Sequence, residues 1–269
     1  MRLLISGASG FIGISLIHHF VTYGYEVIAL SRSGKVEGFE GLTLEWSLGD
    51  SIPCDILKSI DVAIHLAYDF NGESGAALTE IETISFVSLL REKGVQQQIF
   101  FSSYSAGKHA KSRYGKCKHR IEIALSNFDD VSIIRPGLVL GSGGIYEKIS
   151  MWAKILPIVP LPDGGVGKLP TIEIDKLCLE MTKIVQSPSF VKEANLFEPE
   201  LTSLRQLVLD AAKIANKTPW IFPLPCIVFL FILKVAKLMR LPLNINEDNL
   251  VGFLGNQKAQ HLSSLKDSF

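Results

Sequence analysis

Little in this sequence is arranged for cross-linking or for holding metal. Its four cysteines, Cys54, Cys117, Cys178 and Cys226, lack the paired spacing that a zinc site or a disulfide framework needs, which suits a reducing, cytoplasmic setting. Excess charge is missing too. The 27 Lys and Arg are matched by 27 Asp and Glu, so no overall field steers the chain onto nucleic acid, and no nucleic-acid partner is expected. No apolar run reaches the roughly 20 residues that span a bilayer. The stretch Trp220 to Leu233 comes nearest, but Pro223 and Pro225 interrupt it. With Lys234, Lys237 and Arg240 along one side of its continuation, 220–240 reads either as a buried helix or as a stretch lying on a membrane surface. Residues Arg2-Leu3-Leu4-Ile5-Ser6, followed at once by glycine, read as a first strand and not as an export signal. Internal repeats and low-complexity tracts are absent.

What is present is enough apolar material, 47% of 269 residues, for one sizeable core and a smaller appended lobe. Strand-length apolar runs alternate with longer stretches of helical period, the pattern of a parallel sheet covered on both faces. Strands are expected near Leu3–Ser6, Val27–Leu30, Leu42–Trp46, Val62–Ala67, Ile99–Ser102 and Val131–Arg135. Crossover helices are expected over Phe11–Tyr23, Leu78–Lys93 and Tyr114–Ser126. The fold class is therefore α/β, a doubly wound parallel sheet with a smaller C-terminal lobe. Past Arg135-Pro136-Gly137 the texture turns rich in glycine and proline, which marks loops leaving the sheet. Pro170 to Val185 reads as one more strand and helix that return to the main domain.

Gly7-Ala8-Ser9-Gly10-Phe11-Ile12-Gly13 follows the first strand and opens the first helix. Side chains there would collide with a pyrophosphate, whereas bare backbone lets the free amides and the positive dipole end of the helix reach it. Farther on, Tyr114-Gly115-Lys116-Cys117-Lys118 places a tyrosine and a lysine one helical turn apart on one face. A free tyrosine loses its proton near pH 10, and a neighbouring ammonium would lower that value toward useful acid/base work. Tyr-x-x-x-Lys alone is a weak pattern that any surface helix can produce. Its place gives it weight, because it follows the strand ending in Ser102-Ser103, whose C-terminal edge opens toward the same crevice as the glycine turn.

The Gly-x-x-Gly-x-x-Gly spacing, together with the later Tyr-x-x-x-Lys, resembles the short-chain dehydrogenase/reductase superfamily, in particular its extended, epimerase/dehydratase-like branch. The resemblance runs from Met1 to about Val185. It implies a Rossmann-like NAD(P)-binding domain over 1–140 with a return segment at 169–187, and a substrate-binding lobe within 141–269. It also implies hydride transfer with acid/base chemistry on a hydroxyl or keto group, plausibly of a nucleotide-linked sugar, and a possible homodimer. Tyr114 would exchange the proton, Lys118 would hold the phenolate and the nicotinamide ribose, and Ser103 would orient the substrate oxygen, with Ser102 as the alternative. Gly7, Gly10, Phe11, Ile12, Gly13, Leu66, Ala67 and Pro136 would line the cofactor. At the end of the second strand, Ser31-Arg32 stands where NAD enzymes carry an acid, so NADP is favoured over NAD, the alternative being a solvated arginine. His65, in Asp61-Val62-Ala63-Ile64-His65-Leu66-Ala67, is expected to be a hydrogen-bonded core residue, and Asp50 loosely matches an adenine-contacting aspartate. Cys117 is read as a packing thiol.

Two features depart from the pattern or add to it. The connection from Ser103 to Tyr114 is short for the extended branch, which keeps open a second reading, a non-catalytic NAD(P)H-binding sensor or scaffold. Lys108, Lys111, Arg113, Lys116, Lys118, His119 and Arg120 crowd one region that would suit an anionic substrate, although a solvated helix face explains them better.

Overall fold

A computed structural model of the chain describes residues 1–229, 231–232, 248, 251–252 and 261–266. In chain order the elements are β1 (Arg2–Ser6), α1 (Phe11–Thr22), β2 (Glu26–Ser31), β3 (Thr43–Glu45), α2 (Cys54–Leu57), β4 (Val62–His65), α3 (Gly72–Glu92), β5 (Gln97–Phe101), α4 (Arg113–Leu125), β6 (Val131–Pro136) and β7 (Leu138–Leu140). They continue with α5 (Gly144–Ile155), β8 (Ile158–Pro162), β9 (Lys168–Leu169), β10 (Thr171–Glu173), α6 (Ile174–Gln186), β11 (Glu193–Leu196), β12 (Thr202–Ser203), α7 (Leu204–Ile214) and β13 (Trp220–Leu224).

Seven strands form one parallel sheet in the order β11-β6-β5-β4-β1-β2-β3. Alternate side chains explain why the central strands are apolar over Leu3–Ile5 and Val27–Leu30. Leu3 and Ile5 of β1 face the layer made by Leu16, Ile17 and Phe20 of α1 and by Leu177, Met181 and Ile184 of α6. Leu4 between them faces the other layer, with Ile28, Leu30, Ala63, Phe86 and Leu90. A strand buried on both sides has no position free for a polar alternation. The chain winds from β1 to β3 in one direction and returns to β4 on the other side of β1, so a crevice opens between the C-terminal ends of β1 and β4.

The return to this sheet is longer than the sequence suggested. Helix α6 packs on α1, and β11, which was not expected, adds a parallel edge beside β6. Helix α3 begins at Gly72, six residues before the periodic stretch that announced it. A separate apolar cluster joins α5, β8, α7 and β13 through Ala153, Val159, Leu161, Leu207, Val208, Ala211 and Ile221. Within the 220–240 stretch the first five residues are a strand paired with β8, consistent with two prolines that leave backbone unable to sustain a helix. Residues 226–229 are helical, while 230 and 233–240 lie outside the described residues. Among the described residues no helix is long and apolar enough to cross a membrane.

Candidate active site

The loops at the ends of β1, β2, β4, β5 and β6 converge on a single cleft of about 680 Å³, within the usual range for a small-molecule site. Gly7, Gly10, Phe11, Ile12 and Gly13 line it at one end and Tyr114 and Lys118 at the other, with Ser31, Arg32, Leu66, Ala67, Ser102, Ser103 and Pro136 between or beside them. The site residues expected from the sequence, Asp50 excepted, are therefore on the wall of the same crevice.

At the glycine turn the chain has no room for side chains. Gly7 has φ +68°, and a Cβ there would sit 2.7 Å from the Ala67 amide nitrogen. A Cβ on Gly13 would sit 2.5 Å from the Gly7 carbonyl oxygen, so the first turn of α1 is pressed directly onto the strand end. Gly10 occupies the N-cap and supplies no side-chain acceptor. The amides of Phe11, Ile12 and Gly13 thus begin a helix without an intrahelical or capping partner, aimed at the cleft. This cradle fits a diphosphate.

Toward β2 the wall is formed by Ser31, Arg32, Trp46, Ser47 and Leu48. The Ser31 hydroxyl donates to the Lys35 carbonyl at 2.9 Å and accepts from the Lys35 amide at 3.1 Å, so it braces the turn that presents Arg32. The Arg32 side chain is exposed at the rim. Asp50 does not reach the cleft: its carboxylate accepts from the Ser47 amide at 2.7 Å and its carbonyl from Trp46 Nε1 at 2.9 Å, which shapes the loop carrying Ser47 and Leu48.

His65 is buried at the end of β4 and pairs with Gln98 at 3.0 Å. Since the Gln98 amide nitrogen donates to the Val87 carbonyl at 2.9 Å, its oxygen faces His65, and Nε2 of the imidazole is the donor. Burial lowers the imidazole pKa to about 4, and the ring is neutral at physiological pH. It is a core histidine. Beyond Leu66 and Ala67 the loop contributes two aromatics that sequence patterning did not single out. Tyr68 meets the Tyr114 ring edge-on at 4.8 Å, and Phe70, 61% exposed, lies parallel to it at 6.3 Å. Their only signal in the sequence was position, just past a strand end at the crevice.

Helix α4 carries Tyr114 and Lys118. Lys118 is only 2% exposed, and its Nζ donates to the Phe101 carbonyl at 2.6 Å. Around it stand the rings of Phe100 at 4.6 Å, Tyr114 at 5.7 Å and Tyr68 at 5.8 Å, whose faces partly replace lost water. Desolvation still lowers the lysine to a pKa of about 8, so the side chain remains mainly ammonium at neutral pH. The phenol of Tyr114 moves the opposite way to the sequence-based expectation. Burial, with a smaller contribution from Cys117, pushes it above its ordinary value, and Lys118 does not pull it down because the ammonium points to Phe101. The phenol accordingly keeps its proton over the neutral range.

The two serines separate cleanly. Ser102 is buried and its hydroxyl is bonded to Glu122. Glu122 in turn takes a two-pronged contact from Arg135, at 2.7 and 2.9 Å, and Arg135 also reaches Glu193 at 2.7 Å. This network ties α4 to β6 and β11 and occupies Ser102. Ser103 is half-buried on the cleft wall, where its hydroxyl meets that of Ser105 at 2.8 Å. Cys117 packs under α3, its thiol on the Ala76 carbonyl at 3.2 Å. In the basic cluster, Arg113 pairs with Glu73 at 3.0 Å and Arg120 with Glu80 at 2.5 Å, and Lys118 alone among the seven lines the cleft.

Comparison with known proteins finds relatives of the same fold. A UDP-glucose 4-epimerase of Vibrio cholerae is 24% identical over 259 aligned residues, spanning 83% of this chain and 78% of the relative. The NAD complex of UDP-glucose 4-epimerase from Thermus thermophilus superposes with a TM-score of 0.67 at 18% identity, covering 84% of this chain and 86% of that one. UDP-N-acetylglucosamine 4-epimerase from Bacillus cereus gives 0.69 at 14% identity over 97% of each chain. The model of the NAD dependent epimerase/dehydratase family matches residues 3–143, and with more than half its length so matched the chain belongs to that family.

Proposed function

We propose that this chain uses Tyr114, Lys118 and Ser103 to move a proton on a hydroxyl or keto oxygen of a nucleotide-linked sugar while a bound nicotinamide dinucleotide exchanges hydride with the adjoining carbon. The observation that carries this reading is the shared cleft: the open amides of α1 and the Tyr114 phenol line one crevice. Gly7, Gly10 and Gly13, with the amides of Phe11 and Ile12, hold the diphosphate. Leu66, Ala67 and Pro136 wall the cofactor, and Ser31 braces the turn of Arg32. Ser103 accepts the role of orienting the substrate oxygen, since Ser102 is engaged with Glu122. In the reducing direction Tyr114 gives its proton to the substrate oxygen, and the Lys118 ammonium, once turned from the Phe101 carbonyl toward the phenolate, limits the charge left there. In the oxidising direction the same atoms run in reverse. The sugar-nucleotide substrate rests on the similarity to UDP-sugar epimerases. Mass spectrometry of the nucleotide retained through purification, followed by turnover assays on a panel of sugar nucleotides, tests it; an inert panel would remove the substrate class.

Within this reading NADP is the cofactor. Arg32 offers a fork of donors at the cleft rim, suited to a 2'-phosphate, and no acid occupies the neighbouring strand-end positions Ser31 and Ser33. NADPH is expected to bind at least tenfold tighter than NADH, and Arg32→Ala should erase the difference by weakening NADPH about 10- to 100-fold. Titration by nucleotide fluorescence reads both affinities, and equal binding in the wild-type chain would assign the protein to NAD.

The four cysteines are all free, which supports a reducing, cytoplasmic setting. The larger lobe division, with 1–140 and a return at 169–187 holding cofactor and the remainder of 141–269 holding substrate, is part of the same reading. So are a homodimer and contact of 220–240 with a membrane surface, the latter supported by exposed Trp220, Phe222, Ile227 and Phe231. Sedimentation alone and with anionic vesicles checks both. A monomeric species that leaves the vesicles unbound would discard them.

A further inference from the structure

The start of α4 receives an anchor from the far end of the chain. Three amides in its first turn have no partner within the helix, and all three are satisfied from outside. Ser112, the N-cap, takes the Gly115 amide at 3.0 Å. The carboxylate of Asp248 takes the other two, Arg113 at 2.8 Å through one oxygen and Tyr114 at 2.9 Å through the other. Asp248 is itself on the cleft wall, as is Gly252, which packs so closely on Ser112 that a Cβ there would lie 3.1 Å from its hydroxyl oxygen. From the opposite side Gly115 presses on the Ser105 carbonyl, where a Cβ would not fit. The turn bearing Tyr114 is thus gripped between the loop after β5 and two residues more than 130 positions later in sequence.

We propose that Asp248 is a positioning residue for Tyr114, acting through the main chain: its carboxylate holds the first turn of α4 in the register that points the phenol at the reacting oxygen. The proposal rests on the acid/base role given to Tyr114 above. The charged acceptor at two N–H donors is stronger than a neutral cap and also complements the positive end of the helix. Because displacement by about 1 Å costs on the order of 10²-fold in rate, releasing this turn acts on turnover before it acts on binding. The glycine cradle lies on α1, outside the reach of the change.

The test compares Asp248→Ala, Asp248→Asn and Tyr114→Phe in the full chain. Asp248→Ala is expected to lower kcat by about 10- to 100-fold with the cofactor Kd within twofold of wild type. Asp248→Asn, which keeps one acceptor oxygen for one of the two amides, should recover part of the loss. Wild-type kcat in Asp248→Ala overturns the proposal, and so does a parallel collapse of kcat, cofactor affinity and thermal midpoint in both Asp248 variants, which would mark a general structural role. Tyr114→Phe separates the two ideas. If it stays active, the acid/base reading itself falls; if it is inactive while Asp248→Ala is normal, the positioning role alone is removed.

Discussion

Tyr114→Phe is expected to lower kcat/KM by about 10²- to 10⁴-fold, the usual worth of a positioned proton donor, while affinity for the nicotinamide cofactor stays within twofold. The change removes one oxygen and keeps the ring, so the contacts with Tyr68 and Phe70 persist and the fold has no reason to suffer. Since burial raises the phenol pKa above its ordinary value of about 10, the group is protonated throughout the neutral range. Reduction should therefore be flat in pH across neutrality, as far as this group is concerned, and decline only on the alkaline side, where the donor is lost. A steady-state profile with saturating reduced nicotinamide cofactor reads this directly. Activity in Tyr114→Phe within a factor of a few of wild type would remove the tyrosine from the mechanism.

Lys118→Met separates chemistry from stability. Its effect on turnover should rival that of Tyr114→Phe, because an ammonium beside the phenol is replaced by an apolar chain of similar length. Its effect on folding has the opposite character. The lysine titrates at about 8 in the folded chain against an ordinary 10.5, so between those values the unfolded chain holds a proton that the folded chain has released. Stability must then rise with pH across that window, by about 3 kcal/mol for a shift of this size. Below it both states carry the proton and the cost of burying the charge is constant. Denaturant unfolding of wild type between pH 8 and 10.5 should show the gain, and Lys118→Met should lack it. Parallel curves for the two proteins would mean that the ammonium is better solvated than its burial implies.

The central sheet was legible because its determinants are local. Six strands and three crossover helices announce themselves by period, and the glycine turn by a spacing that only close backbone approach demands. The site residues followed, since a doubly wound sheet leaves one place where strand ends, glycines and α4 meet. What escaped depends on partners distant in sequence. The start of α3 at Gly72 carries glycines that disfavour a helix, and it forms where Gly75 packs against Asp69. Strand β11 is short and half-exposed, held by pairing with β6 and by Ser264 on the Asn195 amide at 2.9 Å. The β13 strand exists because β8 offers it an edge. The raised phenol of Tyr114 could not be read either, because it comes from burial of the group by residues distant in sequence. Asp248 had no motif at all, and its meaning comes entirely from the two amides it meets.

Two helices aim their beginnings at the same crevice, and the chain treats them differently. That of α1 is left bare, while that of α4 is stoppered by the protein's own carboxylate. An incoming polyanion consequently finds one attractive berth and one that is already filled and negative. A long ligand with its phosphates midway is thereby led to lodge them at α1 and kept from lodging them at α4. The berth of the phosphates, on this view, is decided by a charge that the molecule spends against itself.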